Sequence, residues 1–218
     1  MVVHPGCGHY GNTLVNALLY HFKALKNNFT SQELRPGIVH RLDKDTSGVI
    51  IAAKNIRTLE YLSAQFKQRE VKKRYLALVR GRLTQKKGRI DTWIFRDPRH
   101  RKRFSCVSYD TDPPSSARRA LTVFKVIKTW GDIKLVSLRP CTGRTHQLRV
   151  HMKYLHCPII GDTLYGQKKT AYDNVCMMLH AYTLALKIPG KTEIQQYKAA
   201  LPYRFKKFIR DIKKQDTL

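Results

Sequence analysis

Acidic residues are scarce in this sequence. Only 15 of its 218 residues are Asp or Glu, against 42 Lys and Arg, so the formal net charge is +27 and the sequence pI about 10.2. A surface of that balance attracts polyanions, which makes nucleic acid the leading class of partner and anionic membrane the second. The longest apolar runs are strand-length pieces such as "GVIIAA". A membrane-spanning helix needs roughly 18 apolar residues in a row, so no membrane association is expected. Met1 is followed at once by "VVHPGCG", which has neither the basic start nor the apolar core of a secretory leader. Nothing marks the chain for export, and a cytoplasmic location is expected. Cysteine is scarce and scattered: Cys7, Cys106, Cys141, Cys157 and Cys176 are odd in number and contain no CxxC pair. That argues against a disulfide framework and against a zinc site, and predicts buried free thiols.

What is present suffices for a core. At 42% hydrophobic and 26% charged, the chain is too apolar to be mostly disordered and long enough for one filled core or two small domains. It shows no repeat and no clear linker, so one domain over residues 1–218, monomeric, is the expectation. "GNTLVNALLYHF" predicts a short helix capped by Asn12, with Leu14, Leu18 and Phe22 on one face. "RPGIVHRL" breaks it, and two extended segments, "IVHRL" and "VIIAAK", then flank a loop over Asp43 to Ser47. Asn55 caps a second helix lined by Leu59, Leu62 and Phe66, and a β-rich "YLALVRG" follows. Residues 96–118 lack either periodicity and concentrate Arg99, Arg101, Lys102, Arg103, Pro113 and Pro114, which reads as an exposed basic loop. "ALTVFKVIKTWGDIKLVSLRP" reads as a hairpin turning at Gly131 and Asp132. "GRTHQLRVHMKYL" reads as a helix with Leu148, Met152 and Leu155 on its apolar face. Two strands, "MLHAYTLALKI" and "IQQYKAAL", precede a closing helix that buries Phe205, Phe208, Ile209 and Ile212 beneath a basic outer side. The expected class is α+β, built on a mainly antiparallel central sheet flanked by helices and loops.

With so few acids, the position of each is informative. "GIVHRLDKDTSGVIIAAKN" places Asp43 and Asp45 between two apolar runs. Three chemistries fit. Either Asp can be a turn residue bonding nearby backbone amides, the commonest fate beside Thr, Ser and Gly. The D-x-D spacing can hold Mg²⁺ through oxygen ligands, although no further acidic cluster follows. Or one Asp is a nucleophile kept ionised by a cation such as Arg41 or a distant Arg. The residue types alone leave all three open.

The wording of the motif goes further. "HRLDKDTSG", residues 40–48, resembles the H-R-L-D-x-x-T-S-G signature of the RluA family of RNA pseudouridine synthases. "KRYLALV", "TGRTHQLRVHM", "PIIGDTLYG" and "MLHAYTL" resemble further blocks of that family, in order and nearly along the whole chain. The resemblance implies breakage of the C1′–N1 bond of a uridine in RNA, rotation of the uracil and rejoining through C5, without cofactor or metal. It implies that Asp43 is the nucleophile, attacking either the sugar C1′ or the uracil C6. It implies that Arg149 forms an ion pair with that carboxylate, and that Tyr75 stacks on the target base near the C5 hydrogen. Arg41 corresponds to an arginine that fills the gap left when the uridine is flipped out of its stack. Arg144 and His146 are candidates for phosphate contact or for supporting the loop that holds Arg149. Arg101, Lys102 and Arg103 are candidates for collecting RNA at the surface. "GDTLYG" and "LHA" are assigned structural duty, and His40, His151 and His180 lack ligand spacing.

Members of the family usually carry an upstream strand and an N-K-P-x-G block before "VVHPG", where this sequence starts, and some carry an S4-like domain. Substrate choice is therefore expected from the catalytic domain. Large-subunit ribosomal RNA is the favoured substrate, with transfer RNA the alternative. A non-catalytic RNA-binding protein on the same fold, and a metal-dependent phosphodiesterase using Asp43 and Asp45, are the competing classes.

Overall fold

Alternation of buried and exposed residues along the chain writes a sheet, and short polar interruptions turn it back on itself. The computed structural model describes residues 1–6, 8–29, 35–166, 172 and 174–215. Cys7, one of the expected buried thiols, lies outside them. The chain divides into two compact units: Met1–Lys72 with Thr183–Ala199, and Lys73–Tyr182 with Ala200–Leu218.

The first unit opens with α1 (Leu14–His21) and α2 (Lys23–Asn28). The cap of α1 is Thr13 rather than the expected Asn12: Thr13 Oγ1 accepts from the Asn16 backbone N–H, and Asn16 Oδ1 accepts from the Thr13 N–H. This reciprocal pair satisfies two donors that a helix start leaves orphaned. The expected face also shifts by one position. Val15 is the buried residue, while Phe22 ends the helix and stays exposed. β1 (Ser47–Gly48) follows, then α3 (Ile56–Gln68), capped as expected by Asn55 Oδ1 on the Thr58 N–H at 2.9 Å. Leu62 of α3 packs with Ala53, Val71, Leu184 and Leu186 in the core of this unit. Gln65 adds a paired clamp, donating from Nε2 to the Lys187 carbonyl and accepting from the Lys187 N–H, each at 2.9 Å.

The second unit contains β2 (Lys72–Arg80), β3 (Lys87–Arg96), β4 (Phe104–Ser108), β5 (Arg118–Trp130), β6 (Ile133–Pro140) and α4 (Gln147–Tyr154). β7 (Leu179–Leu186) passes from this unit into the first, where it pairs antiparallel with β8 (Gln195–Lys198), and α5 (Tyr203–Gln215) closes the chain. In this unit the strand order is β7-β2-β6-β5-β3-β4. The pairings of β2 with β6, β6 with β5, β5 with β3 and β3 with β4 are all antiparallel. The expected hairpin turns at Gly131 and Asp132, with Trp130 paired to Ile133. Leu76 to Val79 of β2 are buried on both faces, as befits a strand in the middle of a sheet. Phe205, Phe208 and Ile212 of α5 enter the same core, as the spacing predicts. Each fully buried side chain of this size contributes about 1.5–3 kcal/mol relative to exposure.

Three expectations need correction. Residues 96–118 are not a continuous loop, because β4 lies within them and pairs residue for residue with β3. Asp97 makes this possible: its Oδ1 accepts from the Arg99 and His100 N–H groups and its Oδ2 from Ser105, which closes the turn without apolar help. The two extended segments around Asp43 form only the isolated bridge Ile38 to Ala52 and the two-residue β1, since the His40 ring stands in for a strand partner there. Of the four described thiols only Cys157 is buried, Cys106 and Cys141 being half-buried and Cys176 exposed.

Helix α4 departs most from its expected amphipathic form, since Gln147 through Met152 are all buried. Its polar residues are tolerated because each has partners. His151 bonds Thr92 through Nε2 at 3.0 Å and Thr122 through Nδ1 at 2.9 Å, and burial pushes its pKa down to about 4. In the unfolded chain this imidazole takes a proton near its ordinary 6.5, so the unfolded state binds more protons between those two values. Stability is therefore full above the upper value and falls as pH drops toward the lower one. Urea unfolding should show a loss of about 2 kcal/mol between pH 7 and pH 5 assignable to this group, and His151→Asn should flatten the profile over that window. Parallel profiles for the two proteins would mean that His151 is not held neutral by burial.

Candidate active site

The segment bearing Asp43 is shaped by its neighbours before any chemistry is considered. Gly37 sits at φ +72°, and a Cβ there would stand 2.4 Å from the Ala53 carbonyl oxygen. Only glycine lets the Ala53 N–H reach the Gly37 carbonyl, at 2.8 Å. Three residues on, His40 stacks on Phe66 of α3, with centroids 4.7 Å apart and planes at 16°. Its Nε2 accepts from the Ile51 N–H at 3.0 Å, so the ring is neutral with its proton on Nδ1. Leu42 is buried, and the Thr46 N–H donates to the Asp43 main-chain carbonyl at 2.9 Å, closing the turn. The result is a carboxylate carried on a pinned turn. Asp43 is half-buried rather than fully buried, while Arg41 and Asp45 are exposed.

Tyr75, Arg149, Arg144, His146, Arg101, Lys102 and Arg103 all belong to the second unit. Tyr75 lies on β2 opposite Leu138 of β6, half-buried against the core. Two residues earlier, burial pushes the Lys73 ammonium below its ordinary pKa. Arg149 is no surface helix residue. Its Nε donates to Asp162 Oδ2 at 2.7 Å and its Nη2 to Asp162 Oδ1 at 2.8 Å, a two-pronged pair in which the side chains are 8% and 0% exposed. Burial alone would favour the neutral acid, but the hydrogen bonds and charge of Arg149 prevail and hold the Asp162 carboxyl below its ordinary range. Asp162 Oδ1 also accepts from the Leu164 and Tyr165 N–H groups. Gly161 makes this turn, since a Cβ there would stand 2.3 Å from the Val175 carbonyl oxygen.

A layer of polar contacts fixes the loop before α4. Gln147 is fully used: Oε1 accepts from Thr142 Oγ1 and the Arg144 N–H, and Nε2 donates to the Leu121 carbonyl and Thr122 Oγ1. Arg144 Nε donates to the Arg119 carbonyl at 3.0 Å. His146 takes the left-handed conformation at φ 55°, offers no side-chain cap, and turns its Nδ1 to Tyr165 Oη at 2.8 Å. That hydroxyl also accepts from the Phe104 N–H at 2.8 Å, and the Tyr165 ring lies 5.0 Å from the Arg149 guanidinium carbon. Arg144 and His146, in the loop that leads to Arg149, are thus both hydrogen-bonded. The hairpin tip with exposed Arg101 and Lys102 and half-buried Arg103 is tied to the Tyr165 hydroxyl through Phe104.

Asp162, Tyr165 and Gln147 are the residues that sequence reasoning missed. Asp162 lay inside "GDTLYG", a block assigned only a structural role, and the scarcity of acids is the signal that could have singled it out. Among the described residues, no three His, Cys, Asp or Glu side chains gather as a metal-holding group, and no helix is long and apolar enough to cross a membrane.

Comparison with known proteins identifies the family. Residues 1–154 match the RNA pseudouridylate synthase family. The chain is 46% identical over 215 residues to ribosomal large subunit pseudouridine synthase D of Borreliella burgdorferi, covering 99% of the chain and 64% of that protein. It is 42% identical to an uncharacterized RNA pseudouridine synthase of Chloroflexus aurantiacus, covering 93% of the chain and 60% of the relative. The chain thus spans less than two thirds of the length of these relatives. The solved structure of human RNA pseudouridylate synthase domain containing 1 superposes with a TM-score of 0.70 at 32% identity, over 88% of this chain and 75% of that one. The family match and the near full-length identity together place the chain in the RNA pseudouridylate synthase family.

Proposed function

We propose that this chain isomerises uridine to pseudouridine in structured RNA, with large-subunit ribosomal RNA as its substrate. The observation that carries the reading is the pinned turn of "HRLDKDT". A solvated surface Asp has no need of a glycine-shaped entry, a histidine ring stacked on a helix and a closed turn to fix its backbone. A nucleophile does, because misplacement by a fraction of an ångström costs rate. In the proposed reaction the Asp43 carboxylate attacks C1′ or C6, and the C1′–N1 bond breaks. The uracil turns, C5 bonds to C1′, the bond to Asp43 breaks and returns the free carboxylate, the C5 proton leaves, and N1 gains one. Tyr75 stacks on the base and is the candidate to receive the C5 proton. Arg149, which the family resemblance assigns to the nucleophile as its cation, is locked in orientation by Asp162. No cofactor enters this scheme.

The ribosomal substrate is supported by the name of the Borreliella relative, and transfer RNA is the second candidate. Pseudouridine mapping across total RNA from cells with and without the gene separates them: sites lost from the large ribosomal RNA support the proposal, and sites lost from transfer RNA alone replace it. The hairpin tip is proposed as part of the collecting surface. Changing Arg101, Lys102 and Arg103 to Gln leaves the backbone bonds of the turn intact and should weaken RNA binding. The slope of log affinity against log salt should become shallower by roughly 0.7 to 0.9 for each phosphate that is no longer neutralised. Single-turnover conversion at saturating protein should change little. An unchanged slope would remove the tip from the RNA-binding surface.

A further inference from the structure

The three strands β5, β3 and β4 carry an unusual outward face. Along β3, Ile90, Thr92 and Ile94 are buried, so Arg89, Asp91, Trp93 and Phe95 point the other way. Trp93 stands opposite Val107 of β4 on one side and opposite Arg119 of β5 on the other. Just past β4, the Tyr109 ring stacks on the Trp93 indole with centroids 5.0 Å apart and planes at 23°, and Trp93 Nε1 donates to the Tyr109 carbonyl at 3.0 Å. The Arg119 guanidinium, from the far strand, lies 4.1 Å from the Tyr109 centroid. It is held in place by Asp91, which accepts from Arg119 Nε at 3.0 Å and from Nη2 at 2.9 Å, and also from Arg89 Nη2 at 3.0 Å. Arg119 hydrogen-bonding, followed by that of Arg89, holds the Asp91 carboxyl below its ordinary range.

A cross-strand aromatic pair can serve the hairpin alone. Two features point beyond that. The stack ends in a guanidinium oriented by a two-pronged carboxylate, yet its side chain stays 44% exposed and Tyr109 stays 37% exposed. Two arginines share one carboxylate, so the cluster keeps a net positive charge, on a chain whose formal net charge is +27. A planar cation beside exposed aromatic surface is what unpaired bases stack on, and the excess charge suits the phosphate that follows such a base. Arg119 is also continuous with the candidate site, since its carbonyl accepts from Arg144 Nε in the loop preceding Arg149.

We infer that Trp93, Tyr109 and Arg119 form a stacking platform for an unpaired nucleotide of the RNA, with Arg89 placed toward its phosphate. The inference rests on RNA being the substrate. It names a part of the surface that reads exposed bases, distinct from the hairpin-tip charges that meet phosphates.

The test uses the whole chain and three probes: a short single-stranded RNA, the same backbone with abasic ribose, and a duplex of equal length. The chain has two tryptophans and Trp130 is buried, so a change in fluorescence on titration reports Trp93. Wild type should respond to the single strand and bind it more tightly than the abasic strand or the duplex. Arg119→Lys keeps the charge and loses the plane, and Tyr109→Leu loses the ring. Each should weaken single-strand binding roughly 5- to 150-fold, the range for losing one stacked base, with an unchanged salt slope and unchanged abasic binding. Melting curves guard against unfolding, and Arg119→Lys decides the matter if Tyr109→Leu is unstable. Equal weakening for base-bearing and abasic strands, or wild-type affinity in Arg119→Lys, would overturn the platform while leaving RNA binding in place. A wild-type chain that binds none of the three probes would overturn the RNA reading itself.

Discussion

Asp43→Asn is expected to lower pseudouridine formation by about 10⁴-fold or more while leaving RNA affinity nearly unchanged. The amide has the shape of the carboxylate and lacks its nucleophilic charge. The turn should survive the change, because it is closed by the main-chain carbonyl of Asp43 and by the His40 clamp on Ile51, neither of which involves the altered side chain. Asp45→Asn is the internal control: exposed two residues away, it should retain most activity. Single-turnover conversion with binding measured on the same preparations decides between the readings. Equal loss in both variants, restored by added Mg²⁺, would favour the metal-dependent phosphodiesterase and displace the nucleophile.

The Arg149–Asp162 pair carries the second large effect, and it changes what a substitution at Arg149 means. The resemblance alone leads one to expect that Arg149→Met inactivates without unfolding and that activity returns partly as pH rises. The structure shows that this change also strips a buried carboxylate of its partner, and breaking a buried pair from one side costs about 3–5 kcal/mol. Asp162→Leu should cost about as much, by stranding the guanidinium. The double variant Arg149→Met with Asp162→Leu should be more stable than the two single losses would sum to, since neither charge is left alone. Urea unfolding of the four proteins gives the coupling energy. Activity then separates support from chemistry, because the double variant recovers stability and should remain inactive if the Arg149 charge is needed. A stable, active double variant would reduce the pair to a structural device. Because the folded pKa of Asp162 is depressed, its stabilising contribution is present above the unfolded carboxyl value and is lost as pH falls through the folded one, so the cycle belongs near neutral pH.

Much of this was legible in the residues. Asn55 before an apolar period, Gly131–Asp132 between β-branched runs, and Phe205, Phe208 and Ile212 at helical spacing each state a local preference that packing then satisfies. What was illegible depended on partners distant in sequence. Residues 96–118 look structureless because the order of their turn comes from one carboxylate, Asp97, rather than from periodicity. Helix α4 looks amphipathic because nothing near it announces that Thr92, Thr122, Leu121 and Asp162 will meet its polar side chains. "IVHRL" looks like a strand because sequence cannot show that the His40 ring, and not a carbonyl, will receive the Ile51 N–H. At the candidate site the motif pointed to Asp43, Tyr75 and Arg149, while Asp162, the residue that fixes Arg149, was passed over as part of a turn.

In the proposed reaction this chain, by itself, moves the uracil of a uridine from N1 to C5 linkage. The direct measurement is conversion of unmodified large-subunit ribosomal RNA transcript, labelled with tritium at uracil C5, by the purified chain in buffer containing EDTA. Tritium should be released to water in step with pseudouridine appearing at a defined position, with the RNA chain left intact. Tight binding with no tritium release, or cleavage of the RNA in its place, would contradict this reaction.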